Sequence, residues 1–128
     1  MNPQKEYALL CEFLTQSANG LYSYLHVFDR TNFKEGAPLM LNANLAVRFR
    51  GMPDGANLEI YMTDDTNTLL DKGTVFKQQV KGSNVHIIAK IRGLVVPRHG
   101  EYRFAARIDG GEPVALCAWM ADKAPVSS

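Results

Sequence analysis

The sequence predicts an all-β fold: an antiparallel two-sheet β-sandwich of immunoglobulin-like or related Greek-key topology, with about eight strands. Three observations point there. Apolar and polar side chains alternate along most of the chain, which places one face of each extended segment in a core. Turn residues recur at intervals of roughly 8–12 positions, the spacing of short antiparallel strands. No segment carries apolar residues at helical spacing.

The alternation is sharpest over residues 100–119. Tyr102, Phe104, Ala106 and Ile108 point one way and Arg103 and Arg107 the other, before Asp109-Gly110-Gly111 reverses the chain. A two-residue period closed by a turn that needs positive φ reads as a β-hairpin with one buried face. Gly100-x-Tyr102-x-Phe104 also resembles the tyrosine corner of immunoglobulin-type domains, where the Tyr hydroxyl bonds back to upstream backbone.

The remaining elements follow from the N-terminus. Residues 7–14 form a first strand in which Tyr7, Leu9, Cys11 and Phe13 share one face. Its other face is also apolar, through Ala8, Leu10 and Leu14, with Glu12 the exception. A strand apolar on both sides is covered on both sides, by its own core or by a partner. Residues 16–20 turn the chain at Asn19-Gly20, and residues 21–28 form the second strand. The polar stretch 29–38 reads as an irregular connection and the natural place for a functional loop. Residues 39–50 make a long strand, with Leu41, Ala43, Leu45, Val47 and Phe49 inward and Asn42, Asn44, Arg48 and Arg50 outward. Leu58, Ile60 and Met62 mark the next strand, ended by the polar residues 64–67. Within 69–80 only a short edge strand is expected, near Val75 and Val80, where Lys77 and Lys81 suit an edge. Residues 85–92 alternate again, and Trp119 closes the last strand. The whole is read as one domain, 1–128, with 121–128 a flexible tail.

Composition narrows the class. At 128 residues, 46% hydrophobic and 21% charged, with net charge +1, the chain can bury a single core. It is too apolar for intrinsic disorder and too close to neutral for a strongly basic nucleic-acid binder. No run approaches the roughly 18 apolar residues of a membrane-spanning helix. The N-terminal segment lacks the apolar core of a signal peptide. The expected location is the cytoplasm of a bacterial cell, away from the membrane. In that compartment Cys11 and Cys117, each inside an alternating run, read as buried thiols.

Two segments carry a family resemblance. One is Tyr7-Ala-Leu-Leu-Cys11 followed by the strand from Gly20 to Phe28-Asp29-Arg30; the other is the Gly100-Glu-Tyr-Arg-Phe104 hairpin with its Asp-Gly turn. Together they resemble an uncharacterised bacterial domain-of-unknown-function family of small β-sandwich proteins. Its pattern is an A-L-L-C strand, a G-K-L turn exit and a G-x-F-D-R strand end. Here that strand end reads Leu25-His26-Val27-Phe28-Asp29-Arg30, with His26 at a position where a small residue is usual. The resemblance implies a fold and no established activity, and it adds no catalytic residue; the residues themselves call for no cofactor or metal.

The residues themselves contain no nucleophile elbow, no His-x-His or Cys-x-x-Cys spacing and no phosphate loop. Asp64-Asp65 reads as a turn former, since the spacing of a calcium loop is missing. Two surfaces remain as binding candidates. Arg48, Arg50, Lys90 and Arg92, with Arg103 and Arg107, all occupy outward strand positions. If the strands bearing the first two pairs are neighbours, like charges oppose one another unless an anion lies between them. Their plain alternative is a solvated face of mixed sign. Tyr22 and Tyr24 offer an aromatic surface for a protein or a sugar. The leading reading is a non-enzymatic interaction module, self-associating or binding another protein through the first two strands and the 29–38 loop. The alternative is a module for an anionic or carbohydrate ligand on the basic or tyrosine-bearing face, with Asp29 and Arg30 as further contacts. A hydrolase with a loop-borne site around Asp29, Arg30 and His99 ranks third.

Overall fold

A computed structural model describes residues 3–125. They form nine strands and no helix: β1 (Gln4–Gln16), β2 (Tyr22–Phe28), β3 (Arg30–Phe33), β4 (Met40–Arg50), β5 (Asn57–Thr63), β6 (Leu69–Gln79), β7 (Val85–Val95), β8 (Gly100–Ile108) and β9 (Val114–Lys123). A four-stranded antiparallel sheet runs β2-β1-β4-β7, and a five-stranded sheet runs β3-β9-β8-β5-β6. One hydrophobic cluster draws on both, with Leu45, Val47 and Ile87 from the first sheet and Ile60, Phe104 and Trp119 from the second. The inward residues of β4 are those the alternation selects: Leu41, Ala43, Leu45, Val47 and Phe49 are all buried.

Nine strands stand where about eight are expected, and the second sheet is mixed. Both corrections come from β3, inside the stretch read as an irregular loop. It pairs parallel with β9, Arg30 opposite Met120 and Phe33 opposite Lys123. Four residues are too few to show a period, so the strand forms because of what it meets. The Trp119 Nε1–H donates to Thr31 Oγ1 at 3.0 Å, and the Phe33 ring sits edge-on to Trp119 with centroids 6.2 Å apart. Thus Asp29 marks the point where the chain leaves one sheet for the other.

Two further boundaries differ. β6 extends over the whole of Leu69–Gln79 rather than a short stretch near its end. Register shifts against β5 break its alternation, which is why no period is visible. Gly73 belongs to this irregularity: a Cβ there would lie 2.8 Å from the Leu70 carbonyl oxygen and 2.9 Å from that of Met62. β9 continues past Trp119 to Lys123 and buries Ala121, so the ordered strand enters the segment read as a tail. Residues 126–128 of that tail lie outside the described residues.

The tyrosine corner forms as the motif suggests. Buried Tyr102, near the start of β8, donates its hydroxyl to the Arg98 carbonyl at 2.6 Å. The Asp64-Asp65 turn is held by its own chain. Asp64 Oδ1 accepts from the Thr66 hydroxyl at 2.6 Å and from the backbone N–H groups of Thr66 and Thr68. These bonds, the Thr66 hydroxyl foremost, hold its carboxyl down at about 2.

Candidate functional site

The site begins with a bend in the β1–β2 hairpin. β1 pairs with β4 from Gln4 as far as Cys11 opposite Asn44, and with β2 from Leu10 to Gln16. Between the pairs Cys11–Val27 and Phe13–Leu25 the pairing is interrupted at Glu12 and His26 without a change of register, and His26 has a φ of 58°. A non-glycine residue at positive φ within a ladder departs from extended backbone and bends the strand there. The Glu12 carbonyl leaves the ladder there and accepts from Asn44 Nδ2 at 3.1 Å.

Distances show where the outer half of the hairpin goes. Tyr22 pairs with Gln16, whereas His86 aligns through Arg48 with Tyr7. Those levels differ by nine positions of β1, about 30 Å of extended strand. Yet the Tyr22 and His86 rings lie 4.4 Å apart. The hairpin tip therefore turns back and lies over the outer face of its own sheet. Cys11, Asn44 and Ala46, all on that outer face, are buried beneath it. Asn44 is thus a correction: it was expected outward and is 5% exposed. The two-sided apolarity of the first strand has the same explanation, because Leu10 enters the core and Cys11 is covered by the hairpin.

The closed hairpin assembles a polar cluster. Tyr24 Oη lies 2.8 Å from Tyr7 Oη and 2.8 Å from His86 Nε2, and Tyr7 Oη is 3.3 Å from the same nitrogen. One proton arrangement satisfies all three groups: Tyr7 donates to Tyr24, Tyr24 donates to an unprotonated Nε2, and the imidazole carries its hydrogen on Nδ1. Burial, and then the charge of Arg48, lower the His86 pKa below its ordinary 6.5. Burial, followed by the Tyr7 bond, raises that of the Tyr24 hydroxyl, so it remains a donor. The adjoining cavity of ≈ 360 Å³ is lined by Tyr7, Tyr22, Tyr24, Arg48, Asn84 and His86, with Gly20 and Leu21 of the turn.

The opposite side of the hairpin is apolar and uncovered. Phe13, Leu25 and Val27 are 57%, 47% and 57% exposed, and Leu21 at the turn is 67% exposed. Phe13 pairs directly with Leu25, so the two sit side by side on that face.

Three of the eight residues singled out from the sequence, Tyr22, Tyr24 and Arg48, come together here. The other five do not join them. β4 and β7 are neighbours, as expected, but the register sets Lys90 opposite Asn44 and Arg48 opposite His86. Lys90 and Arg48 are thus four positions apart, about 13 Å along the strand. Arg50 contacts Gln4 at 3.2 Å, and Arg92 donates to the Ala43 and Ile91 carbonyls. The expected row of opposed cations is dispersed. Arg30 pairs with Asp122 at 3.4 Å. Asp29 and Arg30 line a cleft of ≈ 190 Å³ that His99 does not reach. Tyr7 and His86 were missed. They lie 79 positions apart in the sequence, and only the fold-back joins them to β2.

A second groove, ≈ 650 Å³, lies on the outer face of the five-stranded sheet around Tyr61, Leu69, Arg103 and Arg107. Its cations are engaged: Arg107 stands over the Tyr61 ring at 5.7 Å, and Arg103 Nε donates to Glu101 at 3.0 Å.

A family model covers residues 6–116, which takes in the hairpin, the cluster and both sheets apart from most of β9. The chain belongs to DUF6941, a family of unknown function. The expected membership in a domain-of-unknown-function family therefore holds. Comparison with curated proteins finds no match. No helix among the described residues is long and apolar enough to cross a membrane.

Proposed function

We propose that the protein is a non-enzymatic interaction module that associates with a second copy of itself through the β2 edge. The carrying observation is a contrast among the four sheet edges. β3 is only four residues long and begins with Arg30; β6 carries Asp71, Lys72 and Lys77; β7 carries Lys90 and Arg92. These are the usual guards against unwanted pairing. β2, Tyr22–Phe28, has no Lys, Arg, Asp, Glu or Pro, and beside its open edge lies the exposed row Phe13, Leu25 and Val27. Antiparallel pairing of β2 with its copy is self-complementary about a two-fold axis and would join two four-stranded sheets into one. The apolar rows of the two copies would then lie side by side on one face of the joined sheet.

This reading rests on an immunoglobulin-like sandwich. Its support is the parallel β3–β9 pair, the β9-β8-β5-β6 order against β1-β4-β7, and the tyrosine corner at β8. A reducing bacterial cytoplasm fits the two free thiols.

Size-exclusion chromatography with light scattering tests the association. The native chain should run as a dimer, and Leu25→Glu, at an exposed position, should give a folded monomer. A native chain that stays monomeric at the highest soluble concentration overturns the proposal.

A further inference from the structure

The cavity under the hairpin holds a set of donors that its own hydrogen bonds leave unspent. With Nε2 accepting from Tyr24, the His86 hydrogen sits on Nδ1, which has no hydrogen-bond partner among the described residues, and His86 lines the cavity. The Arg48 guanidinium reaches its nearest carboxylate, Glu6, at 3.9 Å, the longest ion pair among the described residues. Tyr22, from the β2 side, adds a hydroxyl, and Asn84, just before β7, adds an amide. No carboxylate lines the cavity. Four donors from three different strands and one turn, one of them a full positive charge, converge on a space of ≈ 360 Å³. That is the low end of the volume range of small-molecule sites.

We infer that this cavity is a binding site for a small oxyanion, phosphate or carboxylate, borne on a ring. Arg48 supplies the charge-assisted bonds, and its planar fork suits either group. The Tyr22 ring, 36% exposed and edge-on to His86 at 4.4 Å, forms the wall against which the ligand's ring stacks. Bound there, the oxyanion bridges β4, β7 and the hairpin tip. It thereby holds the hairpin closed. Four strand-borne cations on this sheet were expected to act together; the site needs one of them, Arg48. It is independent of β2 self-association, because the cavity faces the sheet and the apolar row faces away from it.

The test is titration of the native chain with phenyl phosphate, inorganic phosphate and benzoate, at constant ionic strength set with chloride. The readout is the NMR signals of the His86 ring and of Tyr22. Saturable shifts are expected with phenyl phosphate, benzoate or both, and the two arms tell phosphate from carboxylate. Inorganic phosphate should bind more weakly than its phenyl ester. Arg48→Gln should weaken binding at least tenfold, and Asn84→Ala, in an exposed turn that leaves the fold intact, should weaken it severalfold. The proposal is overturned if no ring-borne oxyanion produces a saturable shift, or if Arg48→Gln binds as tightly as the native chain.

Discussion

Tyr102 shows how one hydroxyl links a motif to a stability. Its ring is buried against Trp119, centroids 5.8 Å apart, while its oxygen bonds the Arg98 carbonyl at 2.6 Å. Tyr102→Phe keeps the ring and leaves that carbonyl without its partner. The expected loss is about 1–2 kcal/mol, read as a lower urea midpoint at unchanged slope. An unchanged midpoint would mean that water replaces the bond. Tyr102 was legible because Gly-x-Tyr-x-Phe combines a strand start with a polar group that needs a nearby acceptor. Tyr7 and His86 were not legible. Each looks like an ordinary strand residue, and their relation depends on contact with β2 rather than on spacing.

At the scale of elements, the β1–β2 hairpin behaves as an arm docked on its own sheet. Its contact is polar and contains the titratable imidazole of His86. Facing His86 are Tyr7 from β1, Tyr22 and Tyr24 from β2, and Arg48 from β4 with Glu6 beside it. Burial and Arg48 depress the docked imidazole below 6.5, so the docked arm prefers the neutral ring. Its full stability is present above that value and is lost as pH falls through the lower, docked-state pKa. Acidification should therefore raise hydrogen exchange at the β2 amides, after correction for intrinsic rates, before it does so in β4 or β7. His86→Gln, which stays neutral, should remove that pH dependence. An identical pH profile in the variant would show that another group controls docking. The hairpin itself was plain from its alternation and Asn19-Gly20 turn. Its bend was not read, although one signal for it was present: His26, at positive φ, stands where the family pattern has a small residue.

For the whole molecule, the proposed pairing at the open β2 edge would make stability a function of concentration. If two copies pair, the folded state gains from mass action, and the melting temperature should rise with protein concentration. Leu25→Glu should melt at one temperature at every concentration; concentration-independent melting of the native chain would count against the dimer. Alternation, turn chemistry and near-neutral charge were enough to establish an all-β chain, the inward set of β4 and the β8–β9 hairpin. Each of these depends on neighbours two residues away or on a local turn. Contacts across the fold settled the rest. Trp119 and Thr31 turn a four-residue stretch into β3, and the bend at His26 folds an arm over Asn44. The same bend brings Tyr22 and Tyr24 to Tyr7, Arg48 and His86, which the β1-β4-β7 ladder already sets in one row. Periodicity records which side of a strand a residue takes, but it holds no information about which strand, or which half of a bent one, will lie against that side.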